Sequence, residues 1–162
     1  VGLMDVISIE EINAHYRILY DNVGKLFALP ITKEEAQIKP RKIIDKKMLK
    51  GKKTQVNLND GYNFLNEGKD YKPNDTLIFD LRENKIKSHI KLEKGSTIYV
   101  VDGSKRGMIG KVMEITNNRS LNPNTITFTK EDADYKTRKD LVLVIGKSKS
   151  EIKLPEWIKC KK

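Results

Sequence analysis

The sequence predicts a mostly β protein: a central mixed antiparallel β-domain followed by a small SH3-like barrel. First, apolar and polar residues alternate along much of the chain, whereas the longer period of amphipathic helices is hard to find. Second, clusters of Asn, Asp, Gly and Pro separate the candidate strands at short intervals. Third, a glycine-rich stretch in the second half has the pattern of a hairpin. A length of 162 residues allows one domain or two small ones.

The first predicted domain covers residues 1–92. Tyr16, Ile18 and Tyr20 are expected on one face of an early strand. Thr32 followed three residues later by Glu35 forms a capping box, which predicts a short helix that the Lys39-Pro40 pair ends. Turn signals separate the strands at Asp21-Asn22-Val23-Gly24, Asn59-Asp60-Gly61 and Arg82-Glu83-Asn84, and a fourth, Asn122-Pro123-Asn124, lies in the second half of the chain.

Two further strands complete this domain, the first with Leu77, Phe79 and Leu81 on one face. The second has a clear period of two, as expected for a half-buried strand. Its apolar face holds Ile86, Ser88, Ile90 and Leu92, and its polar face holds Lys85, Lys87, His89 and Lys91.

The second predicted domain covers residues 93–146, with the boundary at about Glu93-Lys94. It begins with a hairpin whose loop contains Gly103 and Gly107, two positions that permit backbone angles other residues resist. About five strands are expected, enough for a small barrel. Four of them are Thr97–Val101, Met108–Ile115, Asp134–Lys139 and Leu141–Ile145. Residues 147–162 are predicted to form a basic tail that packs against the barrel, with Trp157 as a possible anchor, or orders on a partner.

The net charge of +10 is the informative property of the composition, because it favours polyanionic partners. No apolar run approaches the roughly 20 residues of a membrane-spanning helix. The start of the chain lacks both the pattern of a signal peptide and an initiator Met, which suggests a piece of a longer product. The single cysteine excludes an internal disulfide framework and fits a reducing compartment.

Catalytic and metal sites are not expected, and neither is a cofactor or a small-molecule substrate. Gly110-Lys111 and Gly146-Lys147-Ser148 lack the earlier glycine of a phosphate-binding loop. His15, His89 and Cys160 are isolated from one another, which disfavours zinc. The acidic residues 131–134 are expected to solvate a turn, with divalent-ion binding as a weaker alternative.

Lysines and arginines group into three clusters that suit the phosphates of RNA. The alternative for each cluster is a solvated surface, since exposed strands also use lysine to discourage edge pairing. The first cluster is the run Lys39, Arg41, Lys42, Lys46, Lys47, Lys50, Lys52 and Lys53. The second is the strand face Lys85, Lys87 and Lys91. The third surrounds the glycine hairpin and contains Lys105, Arg106, Lys111, Arg119, Lys136 and Arg138.

The hairpin pattern Gly-x-x-Arg-Gly-x-x-Gly, from Gly103 to Gly110, resembles the KOW motif, which contacts RNA and proteins in ribosomal proteins and transcription elongation factors. Further ordered signatures cover nearly the whole chain and resemble the archaeal and eukaryotic small-subunit ribosomal protein family S four e. They include residues 1–7, Tyr16–Asp21, Ile31–Ala36, Asn59-Asp60-Gly61, Asp75-Thr76, Ile90-Lys91, Thr137-Arg138 and Val144–Lys147.

This resemblance implies a non-catalytic, structural protein of the cytoplasmic ribosome that binds small-subunit ribosomal RNA beside neighbouring ribosomal proteins. Residues 1–92 would be the family's central domain and the barrel its KOW domain, with the hairpin cations at Lys105 and Arg106. The family's N-terminal S-four-type RNA-binding domain has no counterpart in the sequence, and the C-terminal extension is short. Two alternatives stay open: a free-standing KOW-type module that binds RNA or a polymerase, and an RNA-processing enzyme.

Overall fold

The computed structural model describes residues 2–21, 23–50, 53–66, 70–117, 123–147 and 150–154. This part of the chain contains thirteen strands in three antiparallel sheets, with three single-turn 3-10 helices between them. The predicted mostly β fold is therefore confirmed. Within the same residues, no helix is long and apolar enough to cross a membrane.

The first sheet has three strands in chain order. They are β1 (Val6–Ile9), β2 (Ala14–Tyr20) and β3 (Leu26–Ile31), with a 3-10 helix at Glu10–Ile12 between the first two. The predicted turn after Tyr20 joins β2 to β3. The carboxylate of Asp21 accepts hydrogen bonds from the backbone N–H groups of Val23 (2.9 Å) and Lys25 (2.8 Å), which explains an Asp at this position.

The second sheet is organised around one long strand and has the order β6-β5-β4-β7-β8. Its strands are β4 (Ile38–Met48), β5 (Thr54–Leu58), β6 (Asn63–Asn66), β7 (Thr76–Asp80) and β8 (Lys85–Ile90). The residues Ile38–Lys42 of β4 pair with β7, and Ile43–Met48 pair with β5. The β4–β5 hairpin therefore extends beyond the end of β7.

The third sheet contains the five strands predicted for the barrel, in the order β12-β11-β10-β9-β13. They are β9 (Thr97–Val100), β10 (Ile109–Thr116), β11 (Thr125–Lys130), β12 (Ala133–Arg138) and β13 (Val142–Gly146). A 3-10 helix at Lys139–Leu141 joins the last two strands. The glycine hairpin lies between β9 and β10, as the sequence indicated.

Two hydrophobic clusters join the sheets to one another. One combines Leu19 and Leu29 of the first sheet with Tyr99 and Leu143 of the third, and Ile152 packs into the same cluster. The other combines Ile78 and Ile90 of the second sheet with the strands of the third. A third cluster, around Ile43 and Phe79, lies within the second sheet. The interior thus crosses the predicted boundary near residue 93.

Three local predictions were only partly right, because tertiary packing overrode part of each local pattern. Tyr16, Ile18 and Tyr20 share one face of β2 as expected, but the buried face is the opposite one, which carries Arg17 and Leu19. Arg17 is fully buried because its Nη2 donates to the backbone carbonyls of Glu35 (2.7 Å) and Ile38 (2.8 Å).

The other two concern a short helix and a strand. The capping box gives only a single 3-10 turn at Glu35–Gln37, and Pro40 lies inside β4. β7 is buried on both faces, because Ile78 packs against the third sheet while Leu77 and Phe79 pack in the cluster within its own sheet; Leu81 lies beyond its end and is exposed.

Lys42 links the second sheet to the third. Lys42 lies in β4 and is only 7% exposed. Its Nζ donates a hydrogen bond to the backbone carbonyl of Asp140 at 2.5 Å. Burial lowers the pKa of the Lys42 ammonium to about 8, although the charge of Asp140 partly opposes the shift. Keeping the Lys42 ammonium charged in the folded protein therefore costs hydration free energy.

The glycine hairpin packs closely against the turn between β2 and β3. Gly107 has a φ of +85°, and a Cβ there would lie 2.0 Å from the carbonyl oxygen of Asp21. The Tyr99 hydroxyl accepts a hydrogen bond from the N–H of Tyr20 (2.7 Å) and donates to its carbonyl (3.1 Å). The third sheet and the first are therefore joined by backbone contact as well as by apolar packing.

We predict that Gly107→Ala destabilises the protein far more than Gly95→Ala. Both glycines have positive φ, but a Cβ at Gly95 meets nothing within 4 Å. Gly95→Ala should cost about 1 kcal/mol for the left-handed backbone, and Gly107→Ala about 3 kcal/mol or more because the backbone of the turn must move. Urea unfolding measures both values. Equal losses would contradict the close approach.

We also predict that Lys42→Met abolishes one pH dependence of stability. The unfolded chain binds a proton at Lys42 up to about pH 10.5, whereas the folded protein releases it near pH 8. The free energy of unfolding should therefore rise with pH between these values, by about 2 kcal/mol from pH 7 to pH 10. Urea unfolding of wild type and Lys42→Met at several pH values gives the difference in their free energies of unfolding, and this difference should show the rise. Lys47→Met, at an exposed position of the same strand, is the matched control and should leave the rise intact.

Candidate nucleic-acid interface

Fifteen of the seventeen residues predicted to contact RNA lie within the described part of the chain, while Lys52 and Arg119 lie outside it. The fifteen differ in what surrounds each positive charge. Some are held by acids, carbonyls or aromatic rings of the same chain, and others face solvent. A cation that faces solvent has its charge available for a phosphate, whereas a cation held inside the protein does not.

The first three cations of the basic run are engaged inside the protein. Lys39 Nζ lies 2.7 Å from Asp5 Oδ1 and 3.2 Å from Asp60 Oδ2, and Arg41 Nε lies 2.7 Å from the same Asp60 oxygen. The Arg41 guanidinium also stacks over the rings of Tyr62 (4.7 Å) and Phe79 (4.6 Å). Together with the buried Lys42, they stabilise the second sheet.

The pKa of Asp60 shows the strength of this network. Burial alone would raise the pKa of the carboxyl group, but the hydrogen bond from Lys39 and the positive charges of Arg41 and Lys39 outweigh burial and hold it below its usual value. The same balance between burial and Lys39 lowers the pKa of Asp5. Both acids therefore stay ionised beside their cations.

The rest of the run lies on the outer part of the β4–β5 hairpin. Lys47, Lys50 and Lys53 are exposed, and Lys46 is half-buried. In the residues that the structure describes, none of these four side chains makes an ion pair. Lys46 lies opposite Val56 and Lys47 opposite Gln55, so the two lysines lie on opposite faces of the hairpin. We call these four residues the hairpin lysines.

The lysines of β8 form the predicted stripe only in part. Lys87 and Lys91 are exposed and have no ion pair within the described ranges, while Lys85 pairs with Glu83 at 2.9 Å in full solvent, where such pairs contribute little. His89, expected on the same face, is partly buried and lies opposite Leu77, beyond a shift in the strand register that interrupts the predicted alternation. Its Nε2 lies 2.8 Å from the buried carboxylate of Asp75, and its ring contacts Tyr71 edge-to-face.

The glycine hairpin contacts β12 through one member of the third cluster. Lys105 Nζ donates to the backbone carbonyl of Lys136 at 3.0 Å, which confirms the predicted proximity of the hairpin and the penultimate strand. Arg138 lies two residues further along and pairs with Asp140 at 2.7 Å, with both side chains exposed. Lys136 is exposed, and so is Lys111 on β10.

Arg106 has a different environment from its neighbour. Its Nη2 donates to Asp102 Oδ1 at 2.7 Å, and its guanidinium lies 4.9 Å from the ring centre of Tyr20. The hydrogen bond from the Gly103 N–H, followed by that from Arg106, holds the pKa of Asp102 below its usual value. The Arg106 side chain is thus fixed against the first sheet, with one face of its guanidinium on an aromatic ring.

Sequence inspection could not have found the acids that neutralise these cations. Asp60 follows Arg41 across an intervening strand, and Asp5 lies just before the first sheet, whereas Lys39 lies in the second. No local spacing signals either pair. Among the described residues there is also no group of three His, Cys, Asp or Glu side chains that could hold a metal ion.

The chain is similar to known proteins of one family. Residues 12–86 match the family model described as Ribosomal family S4e. Small ribosomal subunit protein eS4 of Methanocella arvoryzae is 42% identical over 147 residues, covering 91% of this chain and 62% of the relative. The eS4 protein of Methanothermobacter thermautotrophicus is 40% identical over 156 residues, covering 96% and 64%. The chain thus spans less than two thirds of these curated relatives.

A solved structure agrees with both the fold and the family. The crystal structure of the 30S ribosomal protein S4e from Thermoplasma acidophilum superposes with a TM-score of 0.80 at 32% sequence identity. The match covers 91% of this chain and 73% of that chain. A family of ribosomal proteins agrees with the non-catalytic role that the sequence predicted, and the resemblance noted from its motifs is confirmed. The chain belongs to the S4e family of ribosomal proteins.

Proposed function

We propose that this chain is a structural component of the small ribosomal subunit and binds ribosomal RNA through its exposed lysines. One observation carries the proposal beyond family membership. Eight of the predicted RNA-contacting lysines have no ion pair in the described part of the chain: Lys46, Lys47, Lys50, Lys53, Lys87, Lys91, Lys111 and Lys136. Their charge is available to phosphates, and neutralising phosphates releases counterions.

The β-scaffold determines where these charges point. Lys46 and Lys47 of β4, Lys111 of β10 and Lys136 of β12 lie in paired strands, so their backbone positions are fixed and only their side-chain rotamers vary. Such an array recognises the shape and backbone of folded RNA more than its sequence. In this proposal Lys85, Lys105, Arg106 and Arg138 add contacts at the edges of the array, since each keeps an exposed or half-exposed charged group.

Lys39, Arg41 and Lys42 have another role in this proposal. They hold the second sheet in shape and position Lys46 and Lys47, which follow them on the same strand. Lys52 and Arg119 remain predicted contacts on sequence grounds alone. The segments 1–92 and 93–146 would act on RNA as one unit, because two hydrophobic clusters combine residues from both. The expected setting is the cytoplasmic ribosome, with other ribosomal proteins as neighbours.

We predict that replacing the four hairpin lysines by Gln flattens the salt dependence of RNA binding. Each lost phosphate contact lowers the slope of log affinity against log salt by about 0.7 to 0.9, so the variant's slope should fall by about 3. Binding to small-subunit ribosomal RNA at several KCl concentrations measures the slope.

The matched control removes the same charge from exposed lysines outside the predicted clusters, Lys25, Lys33, Lys94 and Lys153. Its slope should change by less than about 1, because these positions are not proposed to contact phosphates. If the control and the hairpin variant flatten the slope equally, net charge alone determines binding and the proposed interface is wrong.

We further predict that the tagged full-length product containing this chain sediments with small subunits in a sucrose gradient and is released as KCl increases. Salt should release it because screening weakens phosphate contacts. An unrelated tagged protein of similar size serves as the control. Recovery with polymerase fractions at every salt concentration, and none with small subunits, would instead favour a free-standing transcription module.

A further inference from the structure

The outer face of the first sheet is apolar and faces solvent, unlike the lysine-bearing surfaces of the other sheets. We propose that this face docks a basic protein segment that also carries apolar side chains. The inference rests on the proposed function, because the partner would be a neighbouring protein of the same ribosomal subunit. It goes beyond that function by assigning one face of the molecule to protein and not to RNA.

The strand register shows which side chains share the outer face. Residues directly opposite each other in an antiparallel pair point to the same side of the sheet. Arg17 pairs with Leu29, and Leu19 with Phe27, on the side that packs into the core. The alternate positions must point outward. Ile7 lies opposite Tyr16, and Tyr16 lies opposite Pro30.

The whole outward set lacks charge. Its larger members are Ile7, Ile9, Tyr16, Ile18, Leu26 and Pro30. The alanines at positions 14 and 28 fill the spaces between them. Ile7 is 36% exposed, Ile9 40% and Leu26 55%, so the apolar atoms face solvent across the sheet from β1 to β3. A contiguous exposed apolar face of this kind indicates a binding surface.

RNA is a poor occupant for this face. Affinity for phosphates requires cations, and none of the outward positions carries one. Tyr20 lies at the border of the face, where Arg106 covers its ring, so the basic glycine hairpin begins just where the apolar surface ends. A protein seated on the sheet would therefore lie beside the RNA surface without overlapping it.

Charge complementarity gives the chemistry of the partner. Residues 2–38 hold six acids and three bases, a net charge of −3 in a chain whose total is +10. Glu10 and Glu11 are exposed, lie next to Ile9 at the end of β1, and make no ion pair within the described residues. The apolar face thus has an acidic border at this end, which favours a segment with apolar contact residues and a positive charge.

The experiment places a photo-cross-linker on this face in intact subunits. Ile9 of the full-length product is replaced by p-benzoylphenylalanine, and Lys47 is replaced likewise as the RNA-facing control. Small subunits are purified and irradiated, and the adducts are identified by mass spectrometry and by nuclease treatment. The Ile9 probe should form adducts with a polypeptide segment of net positive charge, and the Lys47 probe with ribosomal RNA.

Other Ile9 adducts would overturn the inference: ribosomal RNA, another part of its own chain, a neutral or acidic segment, or no adduct at all while the protein is present in the subunits. Absence of both variants from small subunits would instead overturn the proposed function, and the inference with it. The two failures are thus distinguishable.

A second variant tests the electrostatic contribution directly. Glu10→Lys with Glu11→Lys reverses the acidic border at exposed sites, where folding should be little affected. The yield of the Ile9 adduct should fall about fivefold, since the two exposed charge pairs together contribute about 1 kcal/mol. An unchanged yield would overturn the assignment of a basic partner.

Discussion

The structure depends on a rule of burial: a cation that leaves water must keep a partner. Three consecutive cations of β4 obey it in three ways. Lys39 is held between two carboxylates, Arg41 by a carboxylate and two aromatic rings, and Lys42 by a backbone carbonyl. Their partners come from the start of the chain, the turn after β5 and the helix before β13. One strand therefore contacts segments that adjoin all three sheets, and Lys46 and Lys47 project from the same strand.

Much of the fold could be predicted from local pattern. The turn chemistry at Asp21 and the consecutive strands β10, β11 and β12 follow from short-range sequence signals, because strand pairing in hairpins is local. The single apolar face expected for β8 does not form: a β-bulge separates Ile86, which packs with the cluster around Ile43, from Ile90, which packs with the third sheet. The face of β2 could not be predicted in this way. Arg17 is buried because carbonyls at Glu35 and Ile38 approach it in space, and no pattern within β2 reveals their approach.

The candidate site could likewise be predicted only in part. Composition correctly identified an excess of positive charge, and the motifs identified the family. Counting lysines, however, cannot separate those that face solvent from those that stabilise the interior. Arg41 and Lys47 belong to one basic run, but the first lies between aromatic rings and the second has no ion pair among the described residues. The distinction requires the positions of acids distant in sequence, which only the folded chain brings near.

The phenol of Tyr99, bonded to both backbone groups of Tyr20, has a consequence for modularity. A barrel excised at residue 93 would lose both hydrogen-bond partners of this hydroxyl and would expose to water the apolar side chains that meet Leu19 and Leu29. The third sheet therefore cannot serve as an independent domain in another protein unless the surface that packs against the first sheet is redesigned. Evolutionary shuffling of the segment would face the same obstacle.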